Sequence, residues 1–314
     1  MTRVWVSRVA LGLGWCALAA GVAGIVLYFV RWPWELPVLA ASGATYLMLG
    51  AVFGLLLFLL AKGWRSAAVA GVAVAVVLWT QLPFFVSDGR AATGPELRVL
   101  QSNLLVGAAD LSAVAREVRE RRVDVLTLQE LTPEAAERLT AELADELPYH
   151  YLEPGSFAGG SGIFSRYPLR DNVKYDGFWM ANMSATVEHP RAGAVAVFVF
   201  HPPPPVVDFE VWGAEMRRIR EILDGHSGPA VVGADFNATR DHSAFRDLIA
   251  GPFDDAAALA GAGLLPTYPT DKRWGPVLGI DHILVSGGTA DEVSSVTIPR
   301  SDHRALYATL RLND

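Results

Sequence analysis

Three charge-free apolar stretches fill most of the first 87 residues and leave that part of the chain few folding options. They run from Val9 to Val30 between Arg8 and Arg31, from Leu36 to Ala61 between Glu35 and Lys62, and from Ser66 to Ser87 between Arg65 and Asp88. Each reaches the roughly 20 residues with which an α-helix crosses ~30 Å of hydrocarbon. Three membrane-spanning helices are therefore expected, at about 9–30, 37–61 and 67–87. The first follows Arg3 and Arg8 and holds small residues at Ala17, Ala19 and Ala20, as a cleaved leader would. Its length exceeds the roughly 7 to 15 apolar residues of such a leader, so we read it as a span. Trp32, Trp34 and Trp64 near the span ends suit aromatic anchoring at an interface.

Basic residues set the expected orientation. Arg3 and Arg8 precede the first span, and Lys62 and Arg65 lie between the second and third, which keeps both places in the cytoplasm. Everything after Ser87 is then expected outside. The lone Cys16 falls in the first span, so the exterior part has no disulfide and must rely on an ordinary core. Residues 1–87 carry +4, and the whole chain carries −7, which leaves −11 for the remainder. So acidic a domain lacks the counterion-displacing surface with which nucleases grip a phosphate backbone, and small or lipid-borne phosphates fit it better.

Residues 88–96, rich in Gly and Pro, read as a linker. From 97 to 314 strands and helices mix. Leu111 to Arg121 is amphipathic, with Asp110 placed as N-cap, and Pro133 to Glu146 follows Thr132. Val207 to Leu223 is a further helix. Ala194 to Phe200 is an apolar strand that delivers His201 to the Pro202–Pro205 stop. Ile280 to Val285 and Arg304 to Leu312 are the last strands. Gly159 to Gly162 reads as a tight turn into a strand, and apolar Phe178 to Met183 as either a lipid-touching loop or a buried strand.

Polar residues recur at the ends of the apolar runs. Asn103, Glu130 and Asp235 each close one, and Asp281, Asp302 and His303 lie beside the last two strands. Hydrolysis of a phosphate ester requires a cation for the phosphoryl oxygens, an activated water and donors for the developing charge. Mg2+ is the natural cation because it prefers carboxylate oxygen. Glu130 is the leading ligand candidate, since a carboxylate at a sheet end is otherwise a costly charge. Asp281 and His303 can pair across neighbouring strands as acid and imidazole, with Asp302 turned toward the metal. Asp235 and Asn237 face one side if the chain stays extended; the competing reading is an Asx turn. His201 is a donor to a phosphoryl or leaving oxygen, or else a strand-end histidine with a structural partner.

With these residues in place, residues 97–312 resemble the endonuclease/exonuclease/phosphatase superfamily, the fold of deoxyribonuclease I. Gln101-Ser-Asn103, Leu128-Gln-Glu130, Gly162-Ile-Phe-Ser-Arg166, Phe200-His201, Gly233-Ala-Asp-Phe-Asn237, Ile280-Asp281-His282 and Ser301-Asp-His303 follow the family's order. The resemblance implies an α/β fold: a four-layer sandwich of two packed mixed β-sheets flanked by helices, placed after the three-helix transmembrane segment. It implies Mg2+ or Mn2+ held mainly by Glu130, with Asn103 and Asp302 nearby, and a water activated by Asp281 and His303. Phosphate contacts come from Asp235, Asn237 and His201, with Arg166 and His282 as further substrate-binding candidates. Leu105 stands where several DNA-repair members carry an acid, which argues against a second metal. Three spans before such a domain are similar to the VanJ-like membrane proteins of actinomycetes, a group linked to teicoplanin resistance.

The expectation is a multi-pass, membrane-anchored metal-dependent phosphohydrolase with an exterior site. Its partners would be the lipid bilayer and a phosphate-bearing lipid such as a polyprenyl pyrophosphate, with no nucleic acid. An extracellular nuclease or phospholipase, and a non-catalytic membrane sensor or binding module, are the alternatives.

Overall fold

The computed structural model describes residues 2–89 and 93–313. One unit consists of the chain up to Pro83 together with Arg240–Ser243, and the other of Phe84–Thr239 and Ala244 onward. Of the linker expected at 88–96, residues 90–92 lie outside the described residues.

The first unit is helical: α1 (Thr2–Phe29), α2 (Glu35–Ala41), α3 (Ala44–Leu60) and α4 (Trp64–Gln81), the last continued by a 3-10 turn at Leu82–Phe85. Trp5–Phe29 and Trp64–Phe85 are each long and apolar enough to cross a membrane. The middle stretch is not the continuous helix expected at 37–61. α2 and α3 are bent by 64° at Ser42-Gly43, so it makes a third crossing only if the bent pair acts as one span. Hydropathy does not register the break, which needs only a glycine of poor helix propensity beside a serine. α1 and α3 approach closely through small residues: a methyl on Gly21 would collide with the Ala51 backbone.

The second unit is built on two six-stranded sheets. The first contains β1 (Glu96–Asn103), β2 (Val125–Gln129), β3 (Tyr149–Glu153), β4 (Ser161–Ser165), β11 (Gly288–Thr297) and β12 (Arg304–Leu312). Its order is β11-β12-β1-β2-β4-β3. The second contains β5 (Leu169–Tyr175), β6 (Asn182–His189), β7 (Gly193–Phe200), β8 (Ala230–Asp235), β9 (Phe253–Asp255) and β10 (Asp281–Ser286), ordered β5-β6-β7-β8-β10-β9. Both sheets are mixed: β1–β2 and β7–β8 are the parallel pairs, and their neighbours run antiparallel.

Side-chain alternation explains the packing. Leu97, Val99, Val125 and Ile163 of one sheet meet Val197, Val199, Val231 and Ile283 of the other in a shared core. The opposite face of the first sheet, through Leu100, Leu126, Leu128 and Phe164, is covered by Val114 and Val118 of α5 (Leu111–Glu120) and Leu139 of α6 (Pro133–Glu142). Asp110 caps α5 by accepting from Ser112 N–H and Ala113 N–H, and Thr132 caps α6. α7 (Phe209–Asp224) is capped by Asp208, two residues later than the expected start; α8 (Ser243–Leu248) and α9 (Ala256–Leu259) are short.

Candidate active site

The period that builds the core also delivers the polar residues. On β1, Leu97 and Val99 point between the sheets, so Gln101 and Asn103 continue on that face. Thr127 and Gln129 follow Val125, Gly233 and Asp235 follow Val231, and Asp281 precedes Ile283 in the same way. β10 pairs with β8 so that Asp281 lies opposite Asp235. The apolar gap between the sheets therefore ends in a buried polar cluster.

Asp281 and His303 form the anchored pair. His303 Nδ1 lies 2.8 Å from Asp281 Oδ2, and Asp281 Oδ1 accepts from Gln101 Nε2 at 2.8 Å. Gln101 Nε2 also donates to Gln129 Oε1 at 2.7 Å, and Gln129 Nε2 to the Gly233 carbonyl at 3.0 Å, so two amides of the first sheet, braced on the second, hold the carboxylate. Burial pushes Asp281 upward, but the charge and hydrogen bond of His303, with the bonds from Thr267 and Gln101, leave it below the usual carboxylate range. For His303, burial favours the neutral ring, yet the charges of Asp281 and Asp235 outweigh it and hold the imidazolium up to about 10. The Tyr268 ring covers the imidazole at 4.9 Å.

The other ring nitrogen, His303 Nε2, faces Asp235 Oδ2 at 3.8 Å and Asp302 Oδ1 at 3.9 Å; His201 Nε2 lies 3.7 Å from the same Asp235 oxygen. These separations exceed hydrogen-bond length and leave room for a small polar atom between the groups. Asp235 is pushed well above the usual carboxylate range, first by burial and then by the Asp281 charge. Asn103 Nδ2 donates to Asp235 Oδ2 and to Glu130 Oε1, both at 3.0 Å, and so joins the two halves of the cluster.

Glu130 is held in an unusual conformation. Its φ is +57°, and Leu105 and Val106, facing it across the β1 and β2 ends, sit at +47° and +52°. Left-handed geometry is unfavourable for side chains with a Cβ, and most so for a β-branched valine. The turn aims Val106 N–H at Glu130 Oε2, 2.7 Å away.

The donor chemistry distinguishes two places for a cation. Asp235, Asp281 and His303 lie close enough to share an ion. His303 Nδ1, however, is turned to Asp281, whose charge favours the protonated ring, and each Asp281 oxygen already takes part in one hydrogen bond. Glu130 and Asp302 fit better: the Glu130 charge helps raise Asp302, after burial, and Asp302 Oδ1 is buried with no hydrogen-bond partner among the described residues, His303 Nε2 lying 3.9 Å away. Two carboxylates near enough for one charge to raise the other, one of them with an orphaned oxygen and the other bonded to the Asn103 amide, match a hard, oxygen-preferring divalent cation such as Mg2+ or Mn2+.

Three expectations need correction. Arg166 lies at the far end of the sheet, because β4 runs antiparallel to β2 and pairs Ser165 with Val125, while Ser161 pairs with Gln129. There its Nε meets Asp124 Oδ1 at 2.9 Å, a structural bridge. His282, one residue from Asp281, necessarily points to the opposite face; its Nε2 lies 2.9 Å from the Ala238 carbonyl and its ring 4.0 Å from Phe245. Asn237 does not continue extended from Asp235. The strand stops, Asn237 N–H donates to Asp235 Oδ1 in an Asx turn, and Asn237 Nδ2 donates to the Pro202 carbonyl.

Several residues of the cluster had no role assigned from sequence. Gln101 and Gln129 were readable from period two, two and one positions before Asn103 and Glu130. Asn182, which accepts from His201 N–H at 2.8 Å, and Ser301, which donates to the Asn103 carbonyl at 3.0 Å, carried no such signal.

A two-sheet sandwich whose strand ends gather carboxylates, amides and imidazoles around a small polar gap carries the groups that hydrolysis of a phosphoester requires. The sequence model of the endonuclease/exonuclease/phosphatase family matches residues 100–303, and the chain belongs to that family, whose members are hydrolases of phosphodiester bonds. Solved structures agree in fold. TDP2 of D. rerio, complexed with a single-strand DNA product, is 16% identical with a TM-score of 0.57, over 68% of this chain and 98% of that one. A family protein of Bacteroides vulgatus is 20% identical, TM-score 0.55, over 70% and 100%. Beta toxin of Staphylococcus aureus is 15% identical, TM-score 0.53, over 68% and 99%. No curated protein sequence matches the chain.

Proposed function

We propose that this protein is a membrane-anchored, divalent-cation-dependent phosphohydrolase with an exterior site, acting on a lipid-borne phosphate or pyrophosphate such as a polyprenyl pyrophosphate of the cell envelope. A role in glycopeptide resistance, as in the VanJ-like group, would follow from that substrate. The observation that carries the reading is a buried phosphoesterase cluster on a chain that also holds helices apolar enough to cross a bilayer.

The cation, held by Glu130 and Asp302 with Asn103 beside them, would neutralise phosphoryl oxygens and polarise the phosphorus for attack. Asp235 is the natural base: its raised affinity for protons suits removal of one from water near neutral pH. His303, fixed as an imidazolium by Asp281, directs Nε2–H toward the same gap and stabilises charge on the phosphoryl oxygens. His201 lies on the other side of Asp235 and can donate to the departing oxygen. Water thus forms the new P–O bond, its proton passes to Asp235, and the ester or anhydride P–O bond breaks as the leaving oxygen is protonated. Asn237, turned toward Pro202, contributes through the backbone of its turn by holding Asp235.

A nuclease is the second reading, favoured by the fold shared with TDP2 in its DNA complex. The −11 charge beyond residue 87 weighs against it. The test is hydrolysis by the purified full chain of polyprenyl pyrophosphate, read as phosphate release, and of phospholipid and DNA, read as cleaved products, with Mg2+ or EDTA. Lipid phosphate should be turned over only with Mg2+, and His303→Ala and Glu130→Gln should each lose about 100-fold or more in kcat. Equal turnover by both variants, or salt-sensitive cleavage of DNA alone, would remove the proposal.

A further inference from the structure

Large apolar side chains exposed on the sheet unit cluster on the loops that leave the site end of the strands. Phe157 is 83% exposed, Trp179 55%, Val206 68%, Val207 67% and Trp274 70%. Isolated exposed hydrophobics are ordinary, but a set gathered at one edge marks an interaction surface.

Hydrogen bonds join these loops to one another and to the cluster. Ala181 N–H donates to the Gly159 carbonyl at 2.8 Å, which ties the Phe157 and Trp179 loops together, and the adjacent Asn182 holds His201. Asn237 Nδ2 holds the Pro202 carbonyl at the start of the Val206-Val207 loop, and Thr270 Oγ1 donates to the Ser301 carbonyl, four residues before Trp274.

The Trp179 loop is also braced from α7. Glu215, only 4% exposed, accepts Trp179 N–H at 2.7 Å, and the Arg218 guanidinium lies 4.7 Å over the Phe178 ring. Trp212, three residues before Glu215, donates to the Phe236 carbonyl between Asp235 and Asn237. Glu215 thereby fixes the backbone at the base of the exposed indole, a use that gives this buried group its polar partner.

We propose that this edge is a lipid-contacting rim, with Trp179 and Trp274 seated in the interfacial layer of a bilayer so that a phosphate in the headgroup region reaches Asp235 and His303. The occupant is a membrane surface for three reasons. The same chain holds helices long and apolar enough to cross one. Tryptophan is the side chain with most preference for that layer. Lys272 and Arg273 adjoin Trp274 in an otherwise acidic half, and against Asp271 they leave one positive charge where anionic headgroups would lie. The inference rests on the lipid-substrate reading for its purpose, and its test is independent of turnover.

Cys16 is the sole cysteine, so a Cys16→Ser background allows single labelling sites in the full chain. Spin labels at Trp179→Cys and Trp274→Cys would be compared in lipid nanodiscs with labels at Tyr149→Cys and Ala194→Cys, exposed positions at the opposite ends of their strands. At 179 and 274, collisions with oxygen should exceed those with a water-soluble nickel chelate, and at 149 and 194 the reverse. Nickel access at 179 and 274 equal to that at the two controls would overturn the rim, as would label–label coupling that reveals a second copy there. In a kinetic arm, Trp179→Ser with Trp274→Ser should raise KM severalfold for phosphate presented in vesicles and leave kcat for a soluble phosphodiester unchanged. Depth without lipid turnover sinks the substrate reading alone; lipid turnover with water-exposed labels sinks the rim alone.

Discussion

Asp281 sets the state of the residue beside it: its charge and 2.8 Å contact are the main reason that a 5% exposed histidine keeps a proton. Asp281→Asn should therefore lower kcat by about 100-fold or more, within the range usual for a positioned proton-transfer group. The two displaced candidates should behave in the opposite way. Arg166→Ala and His282→Ala should leave kcat/KM unchanged and lower the thermal midpoint, the first by stranding Asp124 and the second by emptying the space against Phe245. Lost turnover at a normal midpoint in either would return that residue to the site. The motifs located Asn103, Glu130, Asp235, Asp281, Asp302 and His303 because strand ends and alternation are visible in sequence. Arg166 and His282 were misread because a motif does not show which end of an antiparallel strand, or which of two neighbouring faces, reaches the cluster.

Among the elements, β2 and β8 depend on close approach at one point. A methyl on Gly233 would overlap the Thr127 side chain, and the Gly233 carbonyl also takes Gln129 Nε2. Gly233→Ala should destabilise the unit by about 1–3 kcal/mol, the usual cost of overpacking, measured as a shift in the denaturant midpoint. It should also reduce kcat by disturbing the Gln129–Gln101–Asp281 chain. An unchanged midpoint would show that the sheets are not in contact there. Strands such as Arg304–Leu312, and the capped helices beginning at Leu111 and Pro133, were legible from alternation and cap residues. The bend at Ser42-Gly43 and the turn at Asn237 were not. Hydropathy averages over a break, and two residues of the same period stay on one side only while the strand lasts.

For the whole molecule, composition separates an apolar N-terminal quarter from an acidic remainder. Of the loop-borne aromatic edge, sequence offered only Phe178 to Met183, as a lipid-touching loop or a buried strand; the rest was not legible, since exposure depends on which loops share an end of the sandwich. In the proposed mechanism Glu130 and Asp302, and not the tighter Asp235–Asp281–His303 group, hold the divalent ion. Anomalous diffraction from crystals of the full chain soaked in Mn2+ decides between the two places. One peak in contact with Glu130 and Asp302, absent from the Glu130→Gln protein, is expected. A peak enclosed by Asp235, Asp281 and His303, with none at Glu130, would contradict it.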